Sequence, residues 1–273
     1  MLNKMTDELA ICGMNAVLAA AEYHPENINR LFLREDRLKS FYGICKQLAE
    51  RKRPYKMCGD EELERICKSS RHQGVVAMIK APAPEAMSRE DLGSWAAERK
   101  TGLVLHDIWN DHNLGAIARS AAFFDAPWIV VSDVPASKDE SQQPSAPCLS
   151  TSAYRVAEGG MEHVRVRFVR NTAAFLKEAS RKIITIGTDI RARQRLRDLP
   201  AIIKSKSETL KDAVNLAGAR PGIAIVLGNE ETGLPAEVKE ACSCLVRIPG
   251  TGLMECLNVS QVAALFLNEI FQN

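Results

Sequence analysis

The 273-residue chain has no long apolar run. Nothing in it approaches the roughly 20 consecutive apolar residues of a membrane span, so no membrane-spanning class is expected. Met1 to Ala20 carries the scattered charges Lys4, Asp7 and Glu8, which argues against a secretory signal and for a cytoplasmic protein. No G-x-G-x-x-G opens a helix after a strand, which weighs against a dinucleotide-binding oxidoreductase. Metal-ligand spacing is missing as well. Cys242 and Cys244 form a C-x-C, but no second pair accompanies them, so no metal is expected. The formal net charge of +2 excludes a polycation. The eight cysteines lie dispersed among apolar neighbours, as in "GICKQL" and "RICKSS". That pattern fits reduced core thiols better than a disulfide framework.

What is present is ordinary in bulk and informative in order. Hydrophobic content is 46% and charged content 26%, as in globular proteins, and the length suits one large domain or two ordinary ones. Between Arg155 and Lys211 there are 14 Lys or Arg against 6 Asp or Glu. "RARQRLR", with Arg191, Arg193, Arg195 and Arg197, lies inside that stretch. It reads equally as a phosphate-contacting segment and as a solvated loop.

The first eighty residues alternate helical and strand-like patterns. "GMNAVLAAAEYH" is helical and "INRLFLRE" a strand, while "RLKSFYGICKQLAER" has helical spacing. "PYKMCG" is a short strand, "DEELERICKSS" a helix opened by Asp60, and "QGVVAMIK" a strand. Residues 81–100 are rich in proline, small residues and charge and read as a linker, with room for a helical turn. A second α/β unit starts at "TGLVLHDIW" and runs to the C-terminus. Ser132 to Ser150 reads as a polar loop within it.

Three segments carry the chemistry. In "NDHNLGAIARSAAFFDA", Asn113 is expected to cap a helix with Leu114, Ile117, Ala118 and Ala121 on its apolar face. Gly115 there suggests close packing or ligand approach. Arg119 is the only charged residue between Leu114 and Phe124. It reads as paired with a carboxylate, placed at the surface, or presented to a phosphate or hydroxyl. "IAIVLGNEETGLP" ends an apolar strand with Gly228, Asn229 and Glu230, and Glu230 can bind a hydroxyl or pair with Arg119. "LVRIPGTGLMECLNVSQVAALFLNEIF" again breaks from a strand into a glycine-bearing loop. Asn258 or Ser260 should cap the final helix. Ligands in open α/β sheets bind beyond the carboxyl ends of strands, so these loops form a plausible cofactor floor. Gly228 is expected to let a ligand approach the backbone closely, since no Cβ intervenes.

The order N-x-G-x-x-x-R, then L-G-x-E-x-x-G-L-P, then I-P-x-x-G-x-x-E-x-L-N-V-S closely resembles the SpoU/TrmH family of the SPOUT superfamily. The likeness covers roughly Leu103 to the C-terminus. "GMNAV" and "HQGVVA" resemble that family's substrate-binding domain, a ribosomal-protein-like fold. The "YRVAEGGMEHV" run from Tyr154 resembles the segment between the first two motifs and is most similar to a YfiF-like subgroup. The resemblance implies an RNA-binding domain over 1–80, a linker over 81–100 and a trefoil-knotted α/β domain over 101–273. No bottom-up argument proposes a knot. It further implies an S-adenosylmethionine-dependent ribose 2′-O-methyltransferase of rRNA or tRNA, homodimeric, with its site at the subunit interface. Gly228, Ile248 and Leu257 map to the cofactor contacts. Arg119 maps to the catalytic arginine, with Asn113, Glu230 and Asn258 around it.

The residue types suit that chemistry. A ribose hydroxyl needs its proton removed or its charge stabilised. Arg119 serves as a base only if desolvated near cationic charge; otherwise it stabilises an oxyanion. Three residues depart from the family pattern: Cys256 for serine, Gly250 for methionine and Asp111 for proline. Cys256 keeps open the alternative of a non-catalytic RNA-binding protein that retains the fold.

Overall fold

The computed structural model describes residues 2–3, 7–83, 85–132, 149–214 and 220–272. Residues 133–148, most of the loop expected from Ser132 to Ser150, lie outside this set. The chain forms two compact units, residues 1–83 with 110–119 and 147–163, and residues 84–109 with 120–146 and 164–273.

The first unit holds a five-stranded sheet in the order β1-β2-β5-β3-β4. Its strands are β1 (Leu2–Asn3), β2 (Glu8–Cys12), β3 (Ile28–Leu33), β4 (Tyr55–Met57) and β5 (Val75–Lys80). β5 runs antiparallel to both β2 and β3, while β3 and β4 are parallel. Consequently the loops that follow β2, β3 and β4 and the loop that precedes β5 emerge at one end of the sheet. The helices α1 (Met14–Tyr23), α2 (Leu38–Glu50) and α3 (Asp60–Cys67) match the expected ones. α2 buries Phe41, Cys45 and Leu48, one face at helical spacing.

Two segments from far along the chain complete this unit: the start of α5 (Asp111–Phe123) and the stretch from α6 (Thr151–Ala157) to His163. Missing side chains let them in. A Cβ on Gly115 would lie 2.5 Å from the Ala153 carbonyl oxygen, and one on Gly160 would lie 2.8 Å from the Arg119 Cα. Gly159, at φ +94°, faces the Ala19 methyl and the Asn15 carbonyl of α1. α5 begins earlier than expected. Asn110 caps it, accepting from the His112 N–H at 2.9 Å, and Asn113 falls in the first turn. The cap goes to the asparagine whose side chain reaches back to the second helical N–H.

The second unit is an eight-stranded sheet in the order β11-β13-β10-β12-β7-β8-β9-β6. Its strands are β6 (Glu85–Ala86), β7 (Thr101–Leu105), β8 (Trp128–Ser132), β9 (Arg165–Val169), β10 (Ile184–Thr188), β11 (Gln194–Arg195), β12 (Ile223–Leu227) and β13 (Cys244–Arg247). Every pairing is parallel. β7, β8 and β12 are buried along their whole length, as parallel strands covered on both faces must be. The helices α4 (Arg89–Glu98), α7 (Thr172–Ala179), α8 (Leu199–Val214), α9 (Ala236–Ala241) and α10 (Val259–Gln272) belong to it. The basic stretch lies on edge strand β11 and its flanks, with Arg191, Arg193 and Arg197 exposed.

The stretch expected as a linker carries more structure than a helical turn. α4 opens with a reciprocal capping box between Ser88 and Asp91, and its Trp95 is fully buried. Trp95 stacks on Trp128 with ring centroids 5.9 Å apart and donates to the Lys100 carbonyl at 3.0 Å. Prolines and charges at 81–90 mask this anchoring in the sequence. The described cysteines are all free thiols. Burial pushes Cys242 and Cys244 up, to about 12 and about 11. Among the described residues no helix is long and apolar enough to cross a membrane.

Glu162 is a buried carboxyl in the first unit, 3.7 Å from His24. Burial raises its pKa, with His24 opposing. A raised folded value means that the contribution to stability is full below the ordinary glutamate range and is lost as pH rises through the folded value. Glu162→Gln should therefore match the wild type in acid and exceed it at neutral pH, measured as urea midpoints at both ends.

Candidate cofactor and RNA site

The loop after β12 is held by one side chain. Asn229 Oδ1 accepts the N–H groups of Glu231 at 2.9 Å and Thr232 at 3.2 Å, and its Nδ2 donates to the Asp107 carbonyl at 2.9 Å. The Gly233 N–H returns to the Asn229 carbonyl at 2.9 Å, closing a tight turn. Gly228 sits beneath this turn. A Cβ there would lie 2.5 Å from the Gly233 carbonyl carbon and 2.7 Å from the Leu234 nitrogen. The loop's own backbone therefore requires glycine at 228, whatever a ligand also requires there.

The receiving carbonyl comes from the end of β7, the neighbour of β12. Asp107 adopts φ +53°, and its N–H donates to the Ser132 hydroxyl at 2.9 Å. His106 contacts the Thr172 hydroxyl through Nδ1 at 3.0 Å. The exits of β7, β8 and β12 are therefore locked together at the carboxyl edge.

The loop after β13 leaves the same edge, with β10 between β13 and β12. Ile248 is its first residue. Neither helix nor strand claims the backbone from Ile248 to Asn258, and Leu253 (89% exposed), Met254 (78%) and Leu257 stand in solvent. Cys256 brings this loop to the first one, its thiol 4.0 Å from the Glu230 carbonyl. Asn258 caps α10, as one of the two expected residues had to, accepting from the Ser260 N–H at 2.9 Å and the Ser260 hydroxyl at 2.6 Å. The buried Nε of Arg247, the last residue of β13, has no acceptor among the described residues.

These features fit a ligand with an aromatic face and a polar edge. Exposed apolar side chains offer the face a contact, while loop backbone groups and the Arg247 donor offer the edge partners. An adenosine-bearing cofactor is such a ligand.

The other expected residues lie in the first unit. Asn113 is buried. Arg119 is 58% exposed and pairs with Glu158 Oε1 at 3.2 Å rather than with Glu230. Glu158 closes α6 at φ +47°, and its second oxygen accepts from Asn15 Nδ2 at 3.3 Å. The structure thus brings together Gly228, Glu230 and Asn258 with their loops, and separately Asn113 and Arg119 on one helix. Asn229 and Glu158 were not singled out in the sequence. An asparagine directly after a strand-ending glycine is a recognisable turn former, whereas nothing local marks Glu158 as the partner of a residue 39 positions earlier.

Among the described residues, a wholly parallel sheet with two tied loops at its carboxyl edge is the architecture of an α/β protein with room for a nucleoside-type ligand at that edge. The chain belongs to the SpoU rRNA Methylase family, whose sequence profile matches residues 100–268. A second profile, RNA 2′-O ribose methyltransferase substrate binding, matches residues 10–85. The chain is 32% identical to the 23S rRNA (guanosine-2′-O-)-methyltransferase RlmB of Nitrosomonas europaea, over 98% of this chain and 93% of that protein. It is 26% identical to the uncharacterized tRNA/rRNA methyltransferase YfiF of Escherichia coli O157:H7, over 96% of this chain and 68% of that one. In fold it is similar to the SpoU methyltransferase AviRb of Streptomyces viridochromogenes, solved with AdoMet. The TM-score is 0.67 at 18% identity, covering 98% of this chain and 91% of that one.

Gly228→Ala should force the turn open, because the new methyl meets backbone rather than a movable side chain. Asn229→Ala should leave two exposed N–H groups to water and cost about 0.5–1.5 kcal/mol. Urea unfolding measures the cost. Amide exchange at residues 229–233 should rise in both variants.

Proposed function

We propose that the chain is an S-adenosylmethionine-dependent RNA methyltransferase acting on a ribose 2′-hydroxyl of rRNA or tRNA. Residues 1–80 are the RNA-binding domain, residues 81–100 connect, and residues 101–273 form the catalytic domain with the family's trefoil knot. The protein works as a cytoplasmic homodimer without membrane attachment. The observation that carries this reading is the pair of tied carboxyl-edge loops in a chain whose family and full-length relatives are RNA 2′-O-methyltransferases.

Gly228, Ile248 and Leu257 are assigned to the cofactor through their backbone groups. The bound cofactor supplies a sulfonium-activated methyl group, which needs no metal to become electrophilic. Transfer would join that carbon to the 2′-oxygen as its bond to sulfur breaks, the electron pair staying on sulfur in the demethylated thioether product, and the hydroxyl proton would pass to a nearby base, water or phosphate. Arg119, Asn113, Glu230 and Asn258 are assigned to the reacting ribose. A guanidinium accepts a proton only when desolvated and crowded by cations. Arg119, which faces the Glu158 carboxylate in the free chain, is assigned to the 2′-oxygen, either taking its proton or stabilising its negative charge while water or phosphate takes the proton.

Support for the dimer comes from an apolar patch in the second unit. Phe123 is 80% exposed and Phe271 63%, and the Phe124 ring bridges them at 4.9 and 5.7 Å. Exposed aromatic clusters of this kind mark association surfaces.

Calorimetric titration with S-adenosylmethionine should show binding to the wild type, and folded protein without heat would remove the transferase reading. Arg119→Ala should slow single-turnover methyl transfer by on the order of 10²–10⁴-fold with little change in cofactor affinity. Wild-type rates from that variant would sink the role of Arg119. Phe123→Asp should yield folded monomers in sedimentation experiments. A dimer that persists in Phe123→Asp and Phe271→Asp alike would place the interface elsewhere.

A further inference from the structure

Four loops of the first unit converge at one end of its sheet, around a guanidinium. Arg34, directly after β3, donates Nε and Nη2 to Asp36 at 2.9 Å each, and Nη1 to both oxygens of Asp60 at 3.1 and 3.2 Å. Two carboxylates thus hold one planar group in place. The Asp36 carboxyl lies below its ordinary range because Arg34 hydrogen-bonds its charged form. The loop before β5 is bound to the same spot. The Arg34 N–H donates to the Gly74 carbonyl at 2.9 Å, and Arg37 Nε donates to the Gln73 carbonyl at 3.1 Å. Gly74, at φ +82°, lies against the Arg34 side chain, where a Cβ would come within 2.9 Å of Nε. The loop after β2 joins through the Met14 N–H, which donates to Gln73 Oε1 at 2.8 Å.

Beside this guanidinium opens a cleft of about 690 Å³, lined by Arg34, Glu35, Asp36, Met57, Cys58 and Gly59. Arg34 keeps a third of its side chain exposed, and Met57 is 49% exposed. Three nitrogens of Arg34 donate to two carboxylates, which fixes the plane and offsets the charge that would attract a phosphate. What remains available is its flat face. A fixed guanidinium plane and a polarizable thioether are both good stacking partners for an aromatic ring. The carboxylate of Glu35 at the rim accepts hydrogen bonds only.

We propose that this cleft receives an unpaired nucleobase of the RNA, stacked against Arg34 and Met57 with its N–H edge toward Glu35. Guanine, with two adjacent N–H donors on one edge, fits best. The proposal rests on the RNA-binding part of the function above and adds a base-reading site remote in sequence from the methyl-transfer residues. Base stacking is sequence-tolerant, and a carboxylate at the rim adds preference without requiring duplex.

The test uses the full-length protein with its methionine methyl groups labelled with carbon-13. Guanosine 5′-monophosphate should shift the Met57 methyl signal upfield through the ring current, and ribose 5-phosphate should not. With a single-stranded G-containing RNA decamer, Met57→Ala should weaken binding by about fivefold or more, within the range of one lost base stack. The same substitution should leave binding of a decamer with abasic spacers unchanged. Arg34→Lys should act in the same direction, with its fold checked by the Met78 methyl signal. Equal affinity of Met57→Ala and wild type for the base-bearing strand, or equal shifts from the two phosphates, would overturn the proposal. Absent heat in the cofactor titration removes the transferase reading and leaves this result to stand separately.

Discussion

Parallel pairing across the second sheet is the constraint on which the rest depends. Parallel strands send all their carboxyl ends to one edge and need both faces covered. β12 lies between β10 and β7, with Ile225 opposite Ile186 on one side and Leu103 on the other. Its exit loop therefore emerges beside the exit of β7, where the Asp107 carbonyl meets Asn229. β13, one strand further out, delivers Ile248 to Asn258 to the same edge. This order brings Cys256 within reach of Glu230. The site is thus a consequence of direction before it is a consequence of any single side chain.

The second constraint is the closeness of α5 to its neighbours in the first unit. Gly115, Gly159 and Gly160 each face atoms that a methyl group would overlap. Small residues set the distance between the backbones, and that distance sets where Arg119 and Glu158 stand. The ion pair itself is exposed at both ends and contributes little to stability. Its importance is directional: Glu158, held by Asn15 and by a left-handed backbone, fixes where the guanidinium points.

Both ends of the chain solve the same problem of holding an open loop rigid without burying it. In the catalytic half an asparagine amide substitutes for missing backbone partners. In the N-terminal half an arginine between two aspartates does so. In each case the polar side chain is consumed by the protein, and the ligand is left with backbone groups, apolar contacts and flat faces. That division suits a substrate recognised by stacking and shape.

Much of this was legible in the sequence. The N-terminal helices and β3 to β5 follow from periodicity, because each is a local pattern. The three motifs resembled the SpoU/TrmH family and located Arg119, Glu230 and Asn258. Other features were hidden for stated physical reasons. The buried Trp95 was masked by proline and charge around it, since its stacking partner Trp128 lies 33 residues on. Asn113 lost the cap to Asn110 because capping depends on which side chain reaches the second helical N–H, a matter of a single turn. The packing reason for Gly228 is invisible locally, since the atoms a Cβ would strike belong to a turn that exists only once Asn229 has closed it. The sequence by itself determined the family and most of the N-terminal elements, because those are written in local spacing. Only the tertiary structure decided that Arg119 pairs with Glu158 and that Arg34 faces an open cleft, because both depend on which distant backbones approach closely enough to touch.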